Sequence, residues 1–132
     1  MFLLTATAQD HGTITYQGKM IALTGYRTRV SQDKRWVIAE GKEGGKLYSV
    51  TITFKPDLTA SADVKTDATH SITLTISNAD YTNAENFCFD GGSVIKAVVQ
   101  GGKYSVSGKD MVAGNCKGTA KAGDKISFVI KP

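Results

Sequence analysis

The three arginines of the chain lie within ten residues of one another, close to its only tryptophan. They are Arg27, Arg29 and Arg35, and the aromatic neighbours are Tyr26 and Trp36. A guanidinium binds carboxylate, sulfate or phosphate through paired hydrogen bonds, and an indole ring provides a stacking plane and a cation–π partner. These five residues are therefore the candidates for binding an anionic or sugar-like ligand. In the competing interpretation, Trp36 is a core residue and the arginine stems only cover its edge.

A hairpin is the element that would position these side chains. With its tip at Gln32-Asp33, Arg29 lies opposite Trp36 across two antiparallel strands. Arg27 then lies opposite Ile38, and side chains two residues apart on a strand share a face. We therefore expect two guanidiniums and the indole to lie on one face of a sheet.

The chain has two cysteines, Cys88 and Cys116, and they form either one disulfide or two unrelated thiols. A zinc site is not expected, because zinc ligands come in short CxxC-like pairs and neither histidine is near either cysteine in sequence. We predict a Cys88–Cys116 disulfide, which would stabilise the fold by about 3–4 kcal/mol in the chain-entropy model. Such a bridge would place the protein in an oxidising compartment.

Neither of the two histidines, His11 and His70, is predicted to be catalytic. A serine or cysteine nucleophile needs a histidine beside it in a cleft. His70 has Ser71 and Asp67 nearby, but this polar, turn-like context is typical of a solvated surface. The sequence contains no alternating acidic calcium loop, and its glycine pairs fall between strands. We predict no catalytic residue, no metal site and no cofactor, and hence a protein that is not an enzyme.

Composition and charge indicate one globular domain spanning residues 1–132. Hydrophobic residues make up 41% of the chain and charged residues 21%, too apolar a balance for a disordered protein. The net charge of +4 favours anionic partners. The lysines, however, are spread evenly from Lys19 to Lys131, which argues against the concentrated footprint of a nucleic-acid binder. No segment is apolar enough to cross a bilayer, and Phe2–Leu4 is either a first strand or the end of a targeting sequence.

Apolar residues recur with a period of two, which is typical of half-buried strands. Lys46–Phe54 shows the clearest alternation, whereas Gly41–Gly45 and Gly108–Asp124 are interpreted as loop or turn-rich segments. The pattern predicts strands over Thr13–Tyr16, Met20–Leu23, Tyr26–Val30, Arg35–Ala39, Lys46–Phe54, a short edge strand near Ala60–Val64, Ser71–Ser77, Phe87–Phe89, Ser93–Val99, Lys103–Ser107 and Lys125–Lys131. These short strands indicate an all-β fold, an antiparallel β-sandwich of Ig-like or similar type, with a small β-barrel as the alternative.

Together these features favour a non-enzymatic binding or adhesion module that is secreted, periplasmic or surface-anchored. Its expected partner is a protein or an anionic polysaccharide on a cell surface. Two alternatives remain open. One is a proteinaceous inhibitor of a secreted hydrolase, which would insert a loop such as Ser107–Cys116 into its target. The other is an OB-like binder of single-stranded nucleic acid that would use Tyr26, Arg27, Arg29 and Trp36.

Overall fold

Eleven strands form the described part of the chain, which in this computed structural model comprises residues 10–67, 69–89, 94–112 and 125–132. No helix, and so none that could span a membrane, occurs within these ranges. The strands are β1 (Gly12–Tyr16), β2 (Lys19–Ala22), β3 (Gly25–Val30), β4 (Arg35–Glu43), β5 (Lys46–Phe54), β6 (Ala62–Lys65), β7 (Ser71–Asn78), β8 (Glu85–Cys88), β9 (Val94–Gln100), β10 (Lys103–Val112) and β11 (Lys125–Ile130).

The strands form two antiparallel sheets. Sheet 1 has the order β2-β1-β11-β10-β9-β6, and sheet 2 has the order β3-β4-β5-β7-β8. Within the described residues, no strand of one sheet pairs with a strand of the other. The predicted β-sandwich is therefore confirmed, and the barrel alternative is wrong. The short edge strand predicted near Ala60–Val64 is β6, which among the described strands pairs only with β9.

The core lies between the sheets and follows the alternation of the sequence. In β5, Val50, Ile52 and Phe54 are completely buried, while the intervening Thr51 and Thr53 lie partly exposed on the opposite face. Hydroxyl-bearing residues alternate with apolar ones in the same way along β7. Each sheet therefore has an apolar inner face and a more polar outer face.

The two sheets cross at a steep angle. His11, just before β1, stacks on Tyr26 of β3 with ring centroids 5.7 Å apart. Tyr16, at the end of β1, contacts Phe87 of β8 at 5.6 Å. Because β3 and β8 are the opposite edges of sheet 2, β1 runs across that sheet from edge to edge. This is the geometry of an orthogonal sandwich, in which the chain turns a corner to change sheets. The corner lies between β2 and β3.

β4 and β10 extend well beyond their predicted ends, and each continues through a glycine. β4 continues to Glu43, so the predicted Gly41–Gly45 loop is reduced to a turn at Gly44 and Gly45. Gly41 interrupts the alternation of apolar and polar residues along β4. A side chain would not fit at this position, because a Cβ would lie 2.0 Å from the Ala22 carbonyl oxygen of the other sheet. β10 likewise extends past Gly108 to Val112, although the prediction ended it at Ser107.

Candidate functional site

The hairpin formed by β3 and β4 has the predicted register. Arg29 pairs with Trp36, and Arg27 pairs with Ile38. The turn spans residues 31–34 and is closed by a backbone hydrogen bond of 2.8 Å between its ends. The Ser31 hydroxyl accepts further hydrogen bonds from two amides of the turn, so the chain itself fixes the hairpin tip.

The five predicted site residues lie on two different faces. Arg27, Arg29 and Trp36 project from the outer face of sheet 2. Tyr26 and Arg35 are each one residue away from a member of this group, and alternation directs their side chains to the inner side. The structure therefore brings together three of the five.

Tyr26 and Arg35 connect the two sheets. The Tyr26 hydroxyl donates to the backbone oxygen of Tyr104 at 2.9 Å. Burial raises the pKa of this phenol above its usual value. The Arg35 guanidinium donates to the Pro56 carbonyl at 3.1 and 3.3 Å and lies 5.2 Å from the centroid of the Tyr104 ring. These contacts give both side chains a structural role.

Arg29 and Trp36 form a cation–π pair on the outer face. The guanidinium carbon lies 5.7 Å from the centroid of the indole, and Trp36 is partly exposed. Arg27 and Arg29 are both exposed. Among the residues described, no carboxylate oxygen lies within 4.0 Å of either guanidinium. The two positive charges are therefore not neutralised by a neighbouring side chain of the described chain.

Two rows of paired residues cross the outer face of sheet 2 from the arginines, and each row contains two hydroxyl groups. Residues paired across successive strands lie side by side, about 4.8 Å apart, so a row over four strands is roughly 15 Å long. The first row consists of Arg29, Trp36, Thr53 and Ser71. The second consists of Arg27, Ile38, Thr51, Thr73 and Cys88, of which Ile38 and Cys88 are buried. We call this surface the Arg–Trp face. Its hydroxyl groups were missing from the sequence prediction, since the registers of β4 with β5 and of β5 with β7 are needed to place them.

The remaining sequence predictions lie partly outside the described residues. Cys88 is at the end of β8 and only 3% exposed, but Cys116 is not among the described residues, so their bridge stays a prediction. Residues 107–112, expected to form part of an inhibitory loop, belong to β10. The rest of that expected loop is outside the described ranges.

His70 belongs to a turn. Its Nδ1 lies 3.2 Å from Oδ1 of Asp67, and the same oxygen accepts backbone hydrogen bonds from His70 and Thr69. These bonds, with the His70 amide the largest contribution, hold the pKa of Asp67 below its usual value. Over the described ranges, no group of three or more histidine, cysteine or acidic residues is arranged to hold a metal ion.

The Arg–Trp face combines three kinds of recognition group on one rigid surface. The arginines offer charged forks, the indole offers a stacking plane, and the threonines and serines offer hydroxyl donors and acceptors. No family model, no curated protein and no solved structure matches the chain at a significant level.

Proposed function

We propose that the protein is a non-enzymatic binding module whose Arg–Trp face holds an anionic polysaccharide at a cell surface. The observation that supports this most strongly is the exposed Arg27 and Arg29 beside Trp36, with no neutralising carboxylate among the described residues. Guanidinium forks match carboxylate and sulfate groups, and the indole can stack against a sugar ring. The ligand class follows from this combination of charge and stacking.

The hydroxyl rows favour a polysaccharide over a small anion. Thr51, Thr53 and Thr73 are on neighbouring strands, and β-branched side chains have few rotamers to lose on binding. A row of roughly 15 Å lets an extended ligand reach the arginines and the hydroxyls at the same time. Sheet residues are also more rigid than loop residues, which lowers the entropic cost of binding.

Replacing both exposed arginines is expected to weaken polysaccharide binding without destabilising the fold. For the double variant Arg27→Ala with Arg29→Ala, we expect affinity for a sulfated or uronate polysaccharide to fall by about tenfold or more, since each charge-assisted hydrogen bond contributes about 1.5–3 kcal/mol. The free energy of unfolding should change by less than about 0.5 kcal/mol, because both side chains are exposed. Titration calorimetry and denaturant unfolding measure the two effects.

Two matched variants separate the arginine chemistry from net charge. Lys96→Gln with Lys109→Gln removes the same charge from sheet 1 and should leave polysaccharide binding nearly unchanged. Arg27→Lys with Arg29→Lys keeps the charge but loses the fork, and an intermediate affinity is expected. An equal loss of polysaccharide affinity in Arg27→Ala with Arg29→Ala and in Lys96→Gln with Lys109→Gln would contradict a site on the Arg–Trp face. Preference for single-stranded DNA, with a steep salt dependence, would instead favour the nucleic-acid alternative.

We also infer an extracytoplasmic location, supported by the position of Cys88 relative to the end of β10. Met111 and Tyr16 pair with the same residue of β11, and Tyr16 contacts Phe87, the neighbour of Cys88. The end of β10 therefore lies on the side of the sandwich where Cys88 lies. Cys116 follows Val112 by four residues, a reach of roughly 14 Å at most. This shared side of the sandwich is compatible with the proposed disulfide, which requires an oxidising compartment.

The disulfide predicts a specific result in mass spectrometry. Protein isolated from its native compartment and alkylated under denaturing conditions should keep its mass without reductant. After reduction it should gain two alkyl groups, one for each cysteine of the sequence. Two adducts without reductant would contradict both the bridge and the location inferred from it.

A further inference from the structure

The outer face of sheet 1 contains a groove of about 400 Å³, and a bulge in β10 accounts for it. The ladder between β9 and β10 ends where Lys96 pairs with Ser107. Just beyond, Lys109 and Asp110 together stand opposite Ser127 of β11. Asp110 has a φ of 50°, and its amide donates to the Ser127 hydroxyl at 2.9 Å. A bulge of this kind bends its strand, and the ladder of β10 with β9 ends beside it. The groove extends from β9 over β10 and β11 to β1.

Two lysines project from the groove walls. Lys96 comes from β9 and Lys109 from the bulge, and both are exposed. Asp63 of β6 pairs in register with Lys96. Even so, within the part of the chain that is described, no carboxylate oxygen lies within 4.0 Å of either lysine ammonium. The groove therefore presents positive charge that a ligand can neutralise.

Exposed apolar side chains are concentrated on the same face. Six large hydrophobic side chains are exposed among the described residues, and four of them belong to the outer face of sheet 1: Met20, Val94, Val98 and Val129. Val94 and Val129 line the groove and are 53% and 54% exposed. Exposed apolar side chains that are surrounded by polar residues are typical of a binding surface.

We propose that this groove binds a single-chain amphiphile with an anionic head group, such as the carboxylate of a medium-chain fatty acid. The head group contacts the ammonium groups of Lys96 and Lys109 beside the hydroxyl of Ser107, which pairs with Lys96. The alkyl chain runs from there across β10 toward Val129 of β11. A volume of about 400 Å³ is within the usual range of small-molecule sites. The groove and the Arg–Trp face belong to different sheets, so the two proposals stand independently.

The test uses octanoate as the probe, with octanol and butyrate as matched controls. Octanoate should bind more tightly than butyrate, by at most about fourfold per added methylene that is buried. Octanol should bind about tenfold or more weakly than octanoate, because it lacks the charged hydrogen bonds. Titration calorimetry below the micelle concentration measures all three. Equal binding of octanol and octanoate, or no dependence on chain length, would overturn the proposal.

Substitutions locate the site. Lys96→Gln with Lys109→Gln should weaken octanoate binding at least tenfold, whereas Arg27→Ala with Arg29→Ala should not. Val129→Asp should abolish binding by placing a carboxylate against the ligand, and Val30→Asp, at a similarly exposed valine of sheet 2, should have no effect. If the lysine variant and the arginine variant bound octanoate with the same affinity, the site would be refuted. Binding to vesicles of phosphatidylglycerol but not to monomeric octanoate would show a membrane surface instead, and would also refute it. Neither result alters the polysaccharide measurement.

Discussion

Gly12→Ala is expected to destabilise the protein by about 3 kcal/mol or more. Gly12 has a φ of 100°, a conformation that costs other residues of order 1–3 kcal/mol. A Cβ would also lie 1.8 Å from the carbonyl oxygen of Val129. That oxygen belongs to the backbone of β11, the strand paired with β1, so it cannot move aside without disturbing the ladder. Overpacking of this kind typically costs a further 1–3 kcal/mol. Denaturant unfolding gives the change in free energy.

Gly18→Ala is the control that separates the steric clash from backbone strain. Gly18 has a φ of 75°, but no atom lies within 4 Å of where its Cβ would be. We therefore expect a loss of only about 1–2 kcal/mol, the cost of the left-handed conformation alone. If Gly12→Ala and Gly18→Ala lowered the free energy of unfolding equally, the close approach of the Val129 carbonyl to Gly12 would not contribute to the loss.

The strands with the clearest alternation could be predicted from sequence because their burial follows from the period of two alone. β5 is an example: Val50, Ile52 and Phe54 face the core, as expected. Gly41 and Gly108 led the prediction to end strands early, because a glycine carries no side chain by which alternation can be recognised. Their roles depend on distant groups. Gly41 faces the backbone of the other sheet, and a Cβ on Gly108 would lie 2.7 Å from the Phe128 ring.

The candidate site was only partly predictable for a related reason. The pairing of Arg29 with Trp36 depends on a local turn, so the sequence was sufficient to place it. Arg35 was one of the five candidate residues, but its side chain points to the opposite face from that of its neighbour Trp36. Its true aromatic partner is Tyr104, far away in the chain. The groove could not be predicted either, because the bulge at Lys109 and Asp110 becomes apparent only from the register with β11.

Tyr104 connects the two sheets through several contacts at once. Its ring is only 3% exposed and lies beneath the Arg35 guanidinium. Its hydroxyl donates to the Leu58 carbonyl at 2.5 Å, and its backbone oxygen accepts the hydrogen bond from Tyr26. Removing the ring therefore creates a cavity between the sheets and leaves the Leu58 carbonyl without its tyrosine donor.

Tyr104→Ala is accordingly expected to cost about 4 kcal/mol, in the range for truncating a large buried aromatic residue. Tyr104→Phe keeps the ring and should cost only about 1–2 kcal/mol, the loss of one buried hydrogen bond. A double-mutant cycle with Arg35→Ala should give a coupling of about 1 kcal/mol, because the guanidinium lies over the ring. The matched cycle with Arg29→Ala should be additive within about 0.5 kcal/mol, since Arg29 lies on the other face of its sheet. Equal coupling to both arginines would contradict the division of the arginines between an inner, structural face and an outer, ligand-binding face.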